Sequence, residues 1–187
     1  MIKNYNEVLY KNEKIETERL ILRKFKIEDA ADILEYASDA KTVEYLVWDG
    51  LSTLEETTNA IYDYYWSRNG IWALELKERS KMIGTIDLRL NHEHDKASFG
   101  YVLNRNFWGS GYMTEALCAV ISLCFEKLEI NRMEAHHYAK NPGSGRVMEK
   151  AGMKKEGYFV KSRKIKGIFH DCVHYGITKD DYFKGSL

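Results

Sequence analysis

The sequence predicts an α+β fold, in which strands and amphipathic helices are mixed along one chain. The stretch Phe99–Leu128 contains a short aromatic strand, a loop with two glycines, and a run whose apolar residues recur at helical spacing. Strand-like and helix-like segments also follow one another on both sides of this stretch. The length of 187 residues is near that of one domain, and a single proline leaves no proline-rich linker.

The N-terminal half is expected to contain three strands and two helices. Residues 1–14 are polar and predict a loosely held lead-in before a single domain over residues 15–187. A capping-box sequence places Ser52 at the N-cap of the second helix and Glu55 at its N3 position. We expect Lys41–Leu51 to be irregular. The predicted elements are strands at Leu20–Phe25, Ile71–Leu76 and Met82–Leu90, and helices at Ile27–Ser38 and from Leu54 to about Ser67.

The C-terminal half is expected to contain the central helix, one short helix and four strands. The helix at Ser144–Ala151 has Ser144 as a candidate N-cap and Gly152 after its end. The last two strands are predicted to be joined by a basic loop that contains Gly167. The predicted strands are Phe99–Leu103, Arg132–Tyr138, Lys154–Val160 and Phe169–Ile177.

The glycine loop Asn104–Gly111 directly precedes the central helix and is a candidate phosphate site. Backbone N–H groups at a helix N-terminus are unpaired and lie at the positive end of the helix dipole. Glycine lets an anion approach the backbone closely, although two glycines before a helix are equally typical of a plain turn. A P-loop would need lysine where Tyr112 stands, and the dinucleotide motif needs a third glycine beyond Gly109 and Gly111.

Three motifs occur along the chain in the order Thr17–Arg23, Trp108–Ala116 and Asn141–Met153. They resemble, in turn, the opening strand, the coenzyme A pyrophosphate loop and the Asn-x-x-Ser helix of the GNAT family of N-acetyltransferases. The resemblance is greatest to the Rim-type branch, the ribosomal-protein alanine and serine N-acetyltransferases, and covers about Ile15 to Tyr182. It implies a mixed, mostly antiparallel sheet with helices on both faces and two central strands that splay apart to admit the coenzyme.

The resemblance implies that acetyl-coenzyme A is the co-substrate and is held largely by backbone groups. The N–H near Leu103 is also placed to polarise the thioester carbonyl, as an oxyanion donor does. Trp108 has an alternative role, because its ring could pack on the sheet instead of touching the ligand. The implied coenzyme-binding residues are Val102, Leu103, Trp108, Gly109, Ser110, Gly111, Tyr112, Met113, Thr114, Asn141 and Ser144.

The residues that would move protons depart from the usual family pattern. The tyrosine acid that follows the motif serine by four residues is replaced here by Met148, so Ser144 becomes the candidate to hydrogen-bond the leaving sulfur. Asn106 stands where glutamine or arginine is common, and Ser98 where many relatives have glutamate. Asp87 is a candidate general base, although the face of a predicted strand would explain it equally well. A chain of water molecules could also remove the proton.

Composition argues against several other classes of protein. The 28 basic and 28 acidic side chains give no net charge, whereas a general nucleic-acid binder needs excess positive charge. We expect no membrane partner, because no apolar run has membrane length, and three cysteines favour a reduced, cytoplasmic protein. His170, Cys172 and His174 share one strand face, but no histidine or cysteine set has zinc spacing, so no metal is expected.

The leading hypothesis is an N-acetyltransferase that moves acetyl to a primary amine by direct transfer in a ternary complex. The acceptor is either a protein N-terminal α-amine or a small-molecule amine, and the chain is expected to act as a monomer or homodimer. An α-amine loses its proton more readily than a lysine amine, which favours it where no base is obvious. The alternative is a non-catalytic acyl-coenzyme A binding or sensing module, which would keep the loop without the acid.

Overall fold

The computed structural model describes Asn4–Gly185, and this part of the chain forms seven α-helices and eight strands. The helices are α1 (Tyr5–Lys11), α2 (Ala30–Ala37), α3 (Ala40–Val43), α4 (Leu54–Ala60), α5 (Tyr112–Ser122), α6 (Pro142–Lys150) and α7 (Lys179–Phe183). The strands are β1 (Ile15–Glu16), β2 (Leu20–Arg23), β3 (Ile71–Leu76), β4 (Lys81–Asn91), β5 (Lys96–Leu103), β6 (Arg132–Tyr138), β7 (Lys154–Ile165) and β8 (Ile168–Thr178).

The strands form one mixed sheet in the order β1-β2-β3-β4-β5-β6-β8-β7. The pairs β1–β2, β2–β3, β3–β4, β6–β8 and β7–β8 are antiparallel, whereas β5 and β6 are parallel. The β5–β6 register covers Lys96–Ser98 against Arg132–Glu134. The predicted α+β class with a mostly antiparallel sheet is therefore confirmed. No helix within Asn4–Gly185 is long and apolar enough to cross a membrane.

The chain divides into two compact units. The first unit contains the residues up to Asp87 together with Tyr101–Tyr112. The second unit contains Leu88–Gly100 and the residues from Met113 onward.

The core of the first unit contains side chains from α2, β3 and β4, together with Phe25 and Ile61 from outside these elements. Arg23 fixes the entry to α2, because its guanidinium donates to both carboxylate oxygens of Asp29 at 2.8 Å and to Glu75 at 2.5 Å. The fully or nearly buried members of this core include Phe25, Ile33, Tyr36, Ala37, Ile61, Ile71, Ala73 and Met82.

Two expectations for the first unit were wrong in detail. Thr53, and not Ser52, is the N-cap of α4, and Glu56 is its N3 partner. The capping box therefore lies one residue later than predicted. The Glu56 carboxylate accepts hydrogen bonds from the N–H groups of both Ser52 and Thr53. Beyond Ala60 the helix widens into a π-helical turn at Ile61–Tyr65.

The N-terminal segment and the segment after α2 are more regular than expected. The described part of the polar lead-in forms α1, which begins at an Asn4 N-cap and buries Tyr5 and Leu9. Residues Met1–Lys3 lie outside the described part of the chain. The stretch Lys41–Leu51, which was expected to be irregular, begins inside a short helix, α3. This helix covers Ala40–Val43 and starts at an Asp39 N-cap.

In the second unit, α6 and the terminal hairpin differ from expectation. Helix α6 starts earlier, with Asn141 as N-cap, so the prediction that Ser144 caps it is wrong. Pro142 explains this start, because its fixed φ and missing N–H suit the first helical position. The predicted basic loop between the last strands is only a two-residue turn of Lys166 and Gly167, with φ of 46° and 81°. Both values are positive, as a tight hairpin turn requires.

Candidate active site

The entry to the glycine loop is fixed by a buried asparagine at the end of β5. The Asn104 N–H donates to the carbonyl of Ile83 at 2.8 Å, and its side-chain amide donates to Glu35 at 2.8 Å. The side-chain oxygen accepts from the N–H of Asn106 at 3.0 Å, which begins the 3-10 turn Arg105–Phe107. Every polar atom of the Asn104 side chain therefore helps to hold the loop.

Glu35 is the partner that ties this loop to helix α2. Its carboxylate also accepts from Lys81 at 2.8 Å and from the Asn106 amide at 3.3 Å. The Lys81 ammonium, followed by the Asn104 amide, lowers the pKa of Glu35. Sequence reasoning missed both Glu35 and Asn104, because 69 residues separate them and no local pattern links them.

The crest of the loop carries the two predicted glycines in left-handed backbone conformations. Gly109 has φ +77° and Gly111 has φ +83°, and both are exposed. Side chains with a Cβ rarely adopt these angles, which explains why glycine stands at both positions. Trp108 is half exposed, and its indole N–H donates to the Leu103 carbonyl at 2.7 Å. This hydrogen bond ties the indole to the end of β5.

A third glycine lets β4 and β5 approach each other where the coenzyme contacts are expected. A Cβ on Gly84 would collide with the carbonyl oxygen of Val102 and lie 3.1 Å from Leu103 Cα. Glycine is needed here for close approach and not for a special φ. The signal was present in the sequence as a glycine inside a strand pattern.

Arg19, which lies in the motif Thr17–Arg23, holds the same loop through its side chain. Its guanidinium donates to the Ser110 carbonyl at 2.9 Å and lies 4.5 Å from the centre of the Tyr112 ring. Helix α5 starts at Tyr112, directly after Gly111. Arg19 thus holds the carbonyl of Ser110 and places a positive charge beside the start of α5, where the helix dipole is also positive.

The Asn-x-x-Ser motif forms the start of α6 in the second unit. Asn141 donates its N–H to the Tyr138 carbonyl at 2.7 Å, and Ser144 donates its own to the Asn141 carbonyl at 3.3 Å. Ser144 is half-buried at N3. Met148, which occupies the usual acid position, has no exposed surface and packs in the core. Its thioether carries no proton to donate.

A buried tyrosine next to α6 was not predicted as a functional residue. The Tyr175 hydroxyl donates to the Glu149 carboxylate at 2.7 Å. Burial, followed by that carboxylate, raises the pKa of Tyr175 to about 12. The Tyr175 hydroxyl is therefore protonated at neutral pH, and its hydrogen bond goes to Glu149.

Asp87 lies at the end of β4 that belongs to the first unit. Its side chain is only 11% exposed, and one carboxylate oxygen lies 3.4 Å from Arg68 Nη2. Arg68 also donates to the Tyr64 hydroxyl at 2.5 Å and lies over the Tyr64 ring. Ser98, the other departure on these strands, pairs with Glu134 in the second unit.

The histidines are distributed as single residues and ring pairs. His136 stacks on His174 with ring centres 5.3 Å apart, and burial lowers the pKa of His136 to about 4. His92 and His94 are exposed. Within Asn4–Gly185, no group of three or more histidine, cysteine, aspartate or glutamate side chains could hold a metal ion.

Comparisons with known proteins identify the family of this chain. The model of the acetyltransferase (GNAT) domain matches residues 19–154. Over 175 residues the chain is 30% identical to the uncharacterized N-acetyltransferase p20 of Bacillus licheniformis, covering 91% of this chain and 98% of that one. A GNAT-family acetyltransferase of Bacillus anthracis has a similar structure, with a TM-score of 0.81, 29% identity, and coverage of 89% and 99%.

A third relative has a defined acceptor. The [ribosomal protein uS5]-alanine N-acetyltransferase of Escherichia coli is 33% identical over 86 residues, which are 46% of this chain and 44% of that one. The family match spans well over half of the chain, and the similarity to p20 extends over nearly all of it. The chain therefore belongs to the GNAT acetyltransferase family and is an acetyl-coenzyme A-dependent acyltransferase.

Proposed function

We propose that this enzyme transfers the acetyl group directly from acetyl-coenzyme A to a primary amine, in a ternary complex. The observation that carries the proposal is the loop before α5, where Gly109 and Gly111 have positive φ and Arg19 holds the Ser110 carbonyl. A loop fixed in this way presents N–H groups and a helix start to the coenzyme pyrophosphate. Its affinity then comes from backbone groups, so it does not depend on a lysine of the P-loop kind.

The proposed coenzyme contacts follow the family pattern. The pyrophosphate is held by the N–H groups of Gly109, Ser110, Gly111, Tyr112, Met113 and Thr114. The pantetheine arm is held by backbone groups of Val102 and Leu103 and by Asn141. The N–H near Leu103 polarises the thioester carbonyl. The close approach of β4 at Gly84 supports this assignment, because it fixes the backbone of Val102 and Leu103.

The proposed reaction moves two protons. The acceptor arrives as an ammonium ion, and Asp87 takes one proton so that the neutral amine can attack the carbonyl carbon. A carbon–nitrogen bond forms, the carbon–sulfur bond breaks, and the sulfur leaves as a thiolate. The second amine proton passes to the sulfur through the Ser144 hydroxyl or water, and Asp87 returns its proton to solvent. The products are an amide and free coenzyme A.

One thermal and one kinetic measurement distinguish this function from the alternative, a non-catalytic acyl-coenzyme A binding module. Acetyl-coenzyme A should raise the melting temperature, because a ligand that binds only the native state stabilises it. An amine panel should release free coenzyme A thiol with enzyme-dependent kinetics. No thermal shift at millimolar coenzyme contradicts the whole proposal. A shift without thiol release from any amine favours the acyl-coenzyme A binding module.

We further propose that both units belong to one acetyltransferase domain over residues 15–187, active as a monomer or homodimer in the cytoplasm. The family match supports the single domain, since residues 19–154 include parts of both units. The three cysteines support the location, because Cys118, Cys124 and Cys172 are all free thiols.

A further inference from the structure

The sheet of the second unit has two different faces along β6, β8 and β7. One face packs against α6, because a Cβ on Gly145 would lie 2.6 Å from His137 Nε2 and the Tyr175 hydroxyl donates to Glu149 of the same helix. Side chains alternate along a strand, and directly paired residues share a face. The sequence neighbours of His137 and Tyr175 therefore lie on the face that is turned away from α6.

The face turned away from α6 carries a continuous row of rings. His136 on β6 is paired with His174 on β8 and stacks on it with ring centres 5.3 Å apart. The other neighbouring ring centres are between 4.5 and 5.9 Å apart. This ring row consists, in order of contact, of Phe159, His174, His136, Tyr138 and His170.

The end of the ring row at Phe159 is shaped by a glycine. Gly157 is paired with His174, and a Cβ on it would lie 2.7 Å from Phe159 Cε2. Because the glycine has no side chain, the Phe159 ring lies over it and contacts His174. Phe159 is 48% exposed and the other four rings are partly exposed, so a ligand can reach the ring row.

The charges around the ring row are positive. Arg163 on β7 is the direct partner of His170, so its side chain lies on the same face. Burial, followed by the charges of Arg163, His174 and Arg89, lowers the pKa of His136 to about 4. The His136 imidazole is therefore neutral at neutral pH, and the guanidinium groups of Arg163 and Arg89 supply the positive charge.

Two acids near the start of β6 and β7, Glu134 and Glu156, are engaged by other cations. Glu134 accepts from Lys96 at 2.6 Å and from Arg132 at 3.2 Å. Glu156 accepts from Arg132 at 2.9 Å. The ring row with its two arginines therefore suits a ligand that has an aromatic ring and an anionic group.

The ring row ends beside a residue of the proposed coenzyme site. Tyr138 is the last residue of β6, and its carbonyl accepts from the N–H of Asn141 at 2.7 Å. The described pairing of β6 with β5 covers Arg132–Glu134, whereas its pairing with β8 continues to Tyr138. An acceptor on the ring row can therefore reach, past this end of β6, a thioester that Asn141 helps to hold.

We propose that the ring row binds the acceptor, and that the acceptor is a small amine with its amino group and an anionic group at opposite ends of an aromatic ring. The amine lies toward Tyr138 on β6, the acceptor ring packs on the rings over β8, and Arg163 on β7 pairs with the anionic group. Two strand spacings, roughly 10 Å, separate β6 from β7, which matches such a molecule. This inference rests on the proposed function and narrows its acceptor from any primary amine to this class.

The first test compares three amines that differ only at the ring position opposite the aminomethyl group. They are para-aminomethylbenzoate, para-aminomethylbenzamide and benzylamine, each assayed with acetyl-coenzyme A by release of free thiol. The benzoate should have a kcat/KM about 10-fold above the other two, because Arg163 makes a charge-assisted pair with its carboxylate. The benzamide is the sharper comparison, since it has nearly the shape of the benzoate without the charge.

The variant Arg163→Gln should remove most of the preference for the benzoate over the benzamide. Lys164→Gln is the matched control, because it removes the same charge from the next position of β7. Lys164 is paired with Phe169 and its Nζ lies 5.3 Å from the centre of that ring, on the other face of the hairpin. Lys164→Gln should therefore leave the preference intact.

A second comparison tests the contact between rings. The saturated analogue trans-aminomethylcyclohexanecarboxylate keeps both charged groups but has no aromatic ring. Phe159→Leu should lower the ratio of kcat/KM for the benzoate to that for the saturated analogue about 2–10-fold. Phe169→Leu, on the other face of the hairpin, should not. The change in the ratio is the measurement, because the two amines also differ in basicity.

The thermal shift by acetyl-coenzyme A should persist in all four variants, which separates acceptor binding from coenzyme binding and from misfolding. Turnover of the benzamide or benzylamine as fast as that of the benzoate overturns the inference. A benzoate preference that survives Arg163→Gln, or that Lys164→Gln removes equally, also overturns it, as does an unchanged ratio in Phe159→Leu. Thiol release only with amines outside this class overturns it while the proposed function stands. If no amine of any class releases thiol, the proposed function itself fails.

Discussion

Gly145→Ala in helix α6 combines two opposing effects on stability, a gain in helix propensity and a steric overlap with His137. Glycine costs a helix roughly 0.5–1 kcal/mol relative to alanine, so an exposed site should gain stability. Here the new Cβ would lie 2.6 Å from His137 Nε2 and within about 3 Å of two ring carbons. Such distances are closer than carbon atoms tolerate, so the ring or the helix must move.

The ring of His137 has little room to yield. It is only 8% exposed, and its Nδ1 lies 2.9 Å from the Tyr138 carbonyl. Overpacking a filled core costs about 1–3 kcal/mol. Subtracting the gain in helix propensity leaves a net loss of at most about 2.5 kcal/mol, with a central value of about 1.2 kcal/mol. For a chain of this length, the central value corresponds to a fall in Tm of about 2–5 °C.

Gly143→Ala provides the matched control in the same helix. Its Cβ would meet only the Asn141 side-chain oxygen at 3.7 Å, an ordinary contact. This variant should be unchanged or stabilised by up to about 1 kcal/mol. Thermal and urea unfolding of both variants measure the difference. A Gly145→Ala protein as stable as Gly143→Ala would refute the packing argument. In a His137→Ala background, the cost of Gly145→Ala should largely disappear, because the obstructing ring is gone.

Three further outcomes are expected. Gly111→Val should abolish coenzyme binding, whereas Gly167→Val carries the same strain at φ +81° and should leave it intact; equal binding by both variants contradicts a phosphate role for the loop. Ser144→Ala and Ser144→Gly should both lower kcat about 10²-fold with coenzyme affinity nearly unchanged, and since Ser144 is not the N-cap, unchanged rates would leave proton delivery to water. Burial, followed by the neighbouring charges of Arg163, His174, Arg89 and His137, lowers the pKa of His136 from 6.5 to about 4. Between pH 4 and pH 6.5 the unfolded chain therefore binds a proton at His136 that the folded protein does not. The contribution of His136 to stability should therefore be complete above pH 6.5 and fall as the pH drops to 4. His136→Phe should flatten this part of the stability profile while exposed His92→Gln does not, and a profile unchanged in His136→Phe would contradict the assignment.

Local sequence patterns predicted the elements well where one short-range signal dominates. The strand Ile71–Leu76 and the strand Arg132–Tyr138 match their predicted bounds, and each is followed by a segment rich in polar or turn-forming residues, KERS and AKNPG. The positive φ of Gly109 and Gly111 follows from glycine at the crest of a loop. Cap positions were missed by one to three residues. Ser52 with Glu55 and Thr53 with Glu56 both fit the capping box, so the sequence pattern does not distinguish them, and the structure uses Thr53 with Glu56.

The contacts that hold the candidate site could not be read from local sequence. The bond between Arg19 and Ser110 joins residues 91 apart, and that between Asn104 and Glu35 joins residues 69 apart. Such pairs are set by the register of the sheet and the placement of α2, which no window of a dozen residues encodes. The same applies to Arg68, whose meeting with Asp87 depends on the β3–β4 pairing. The residues of the motifs could therefore be identified from the sequence, whereas the distant residues that hold them in place could not.

The balanced charge of the chain bears on how the coenzyme is held. With 28 basic and 28 acidic side chains, no net charge attracts an anionic ligand over long distances. In the proposed site, binding of the pyrophosphate then depends on groups at the loop itself. Arg19 supplies one positive charge there while it fixes the Ser110 carbonyl, and the start of α5 adds the positive end of the helix dipole. Because these groups act over a few ångströms, the proposed site depends on precise loop geometry, which the hydrogen bonds of Asn104 and Arg19 fix.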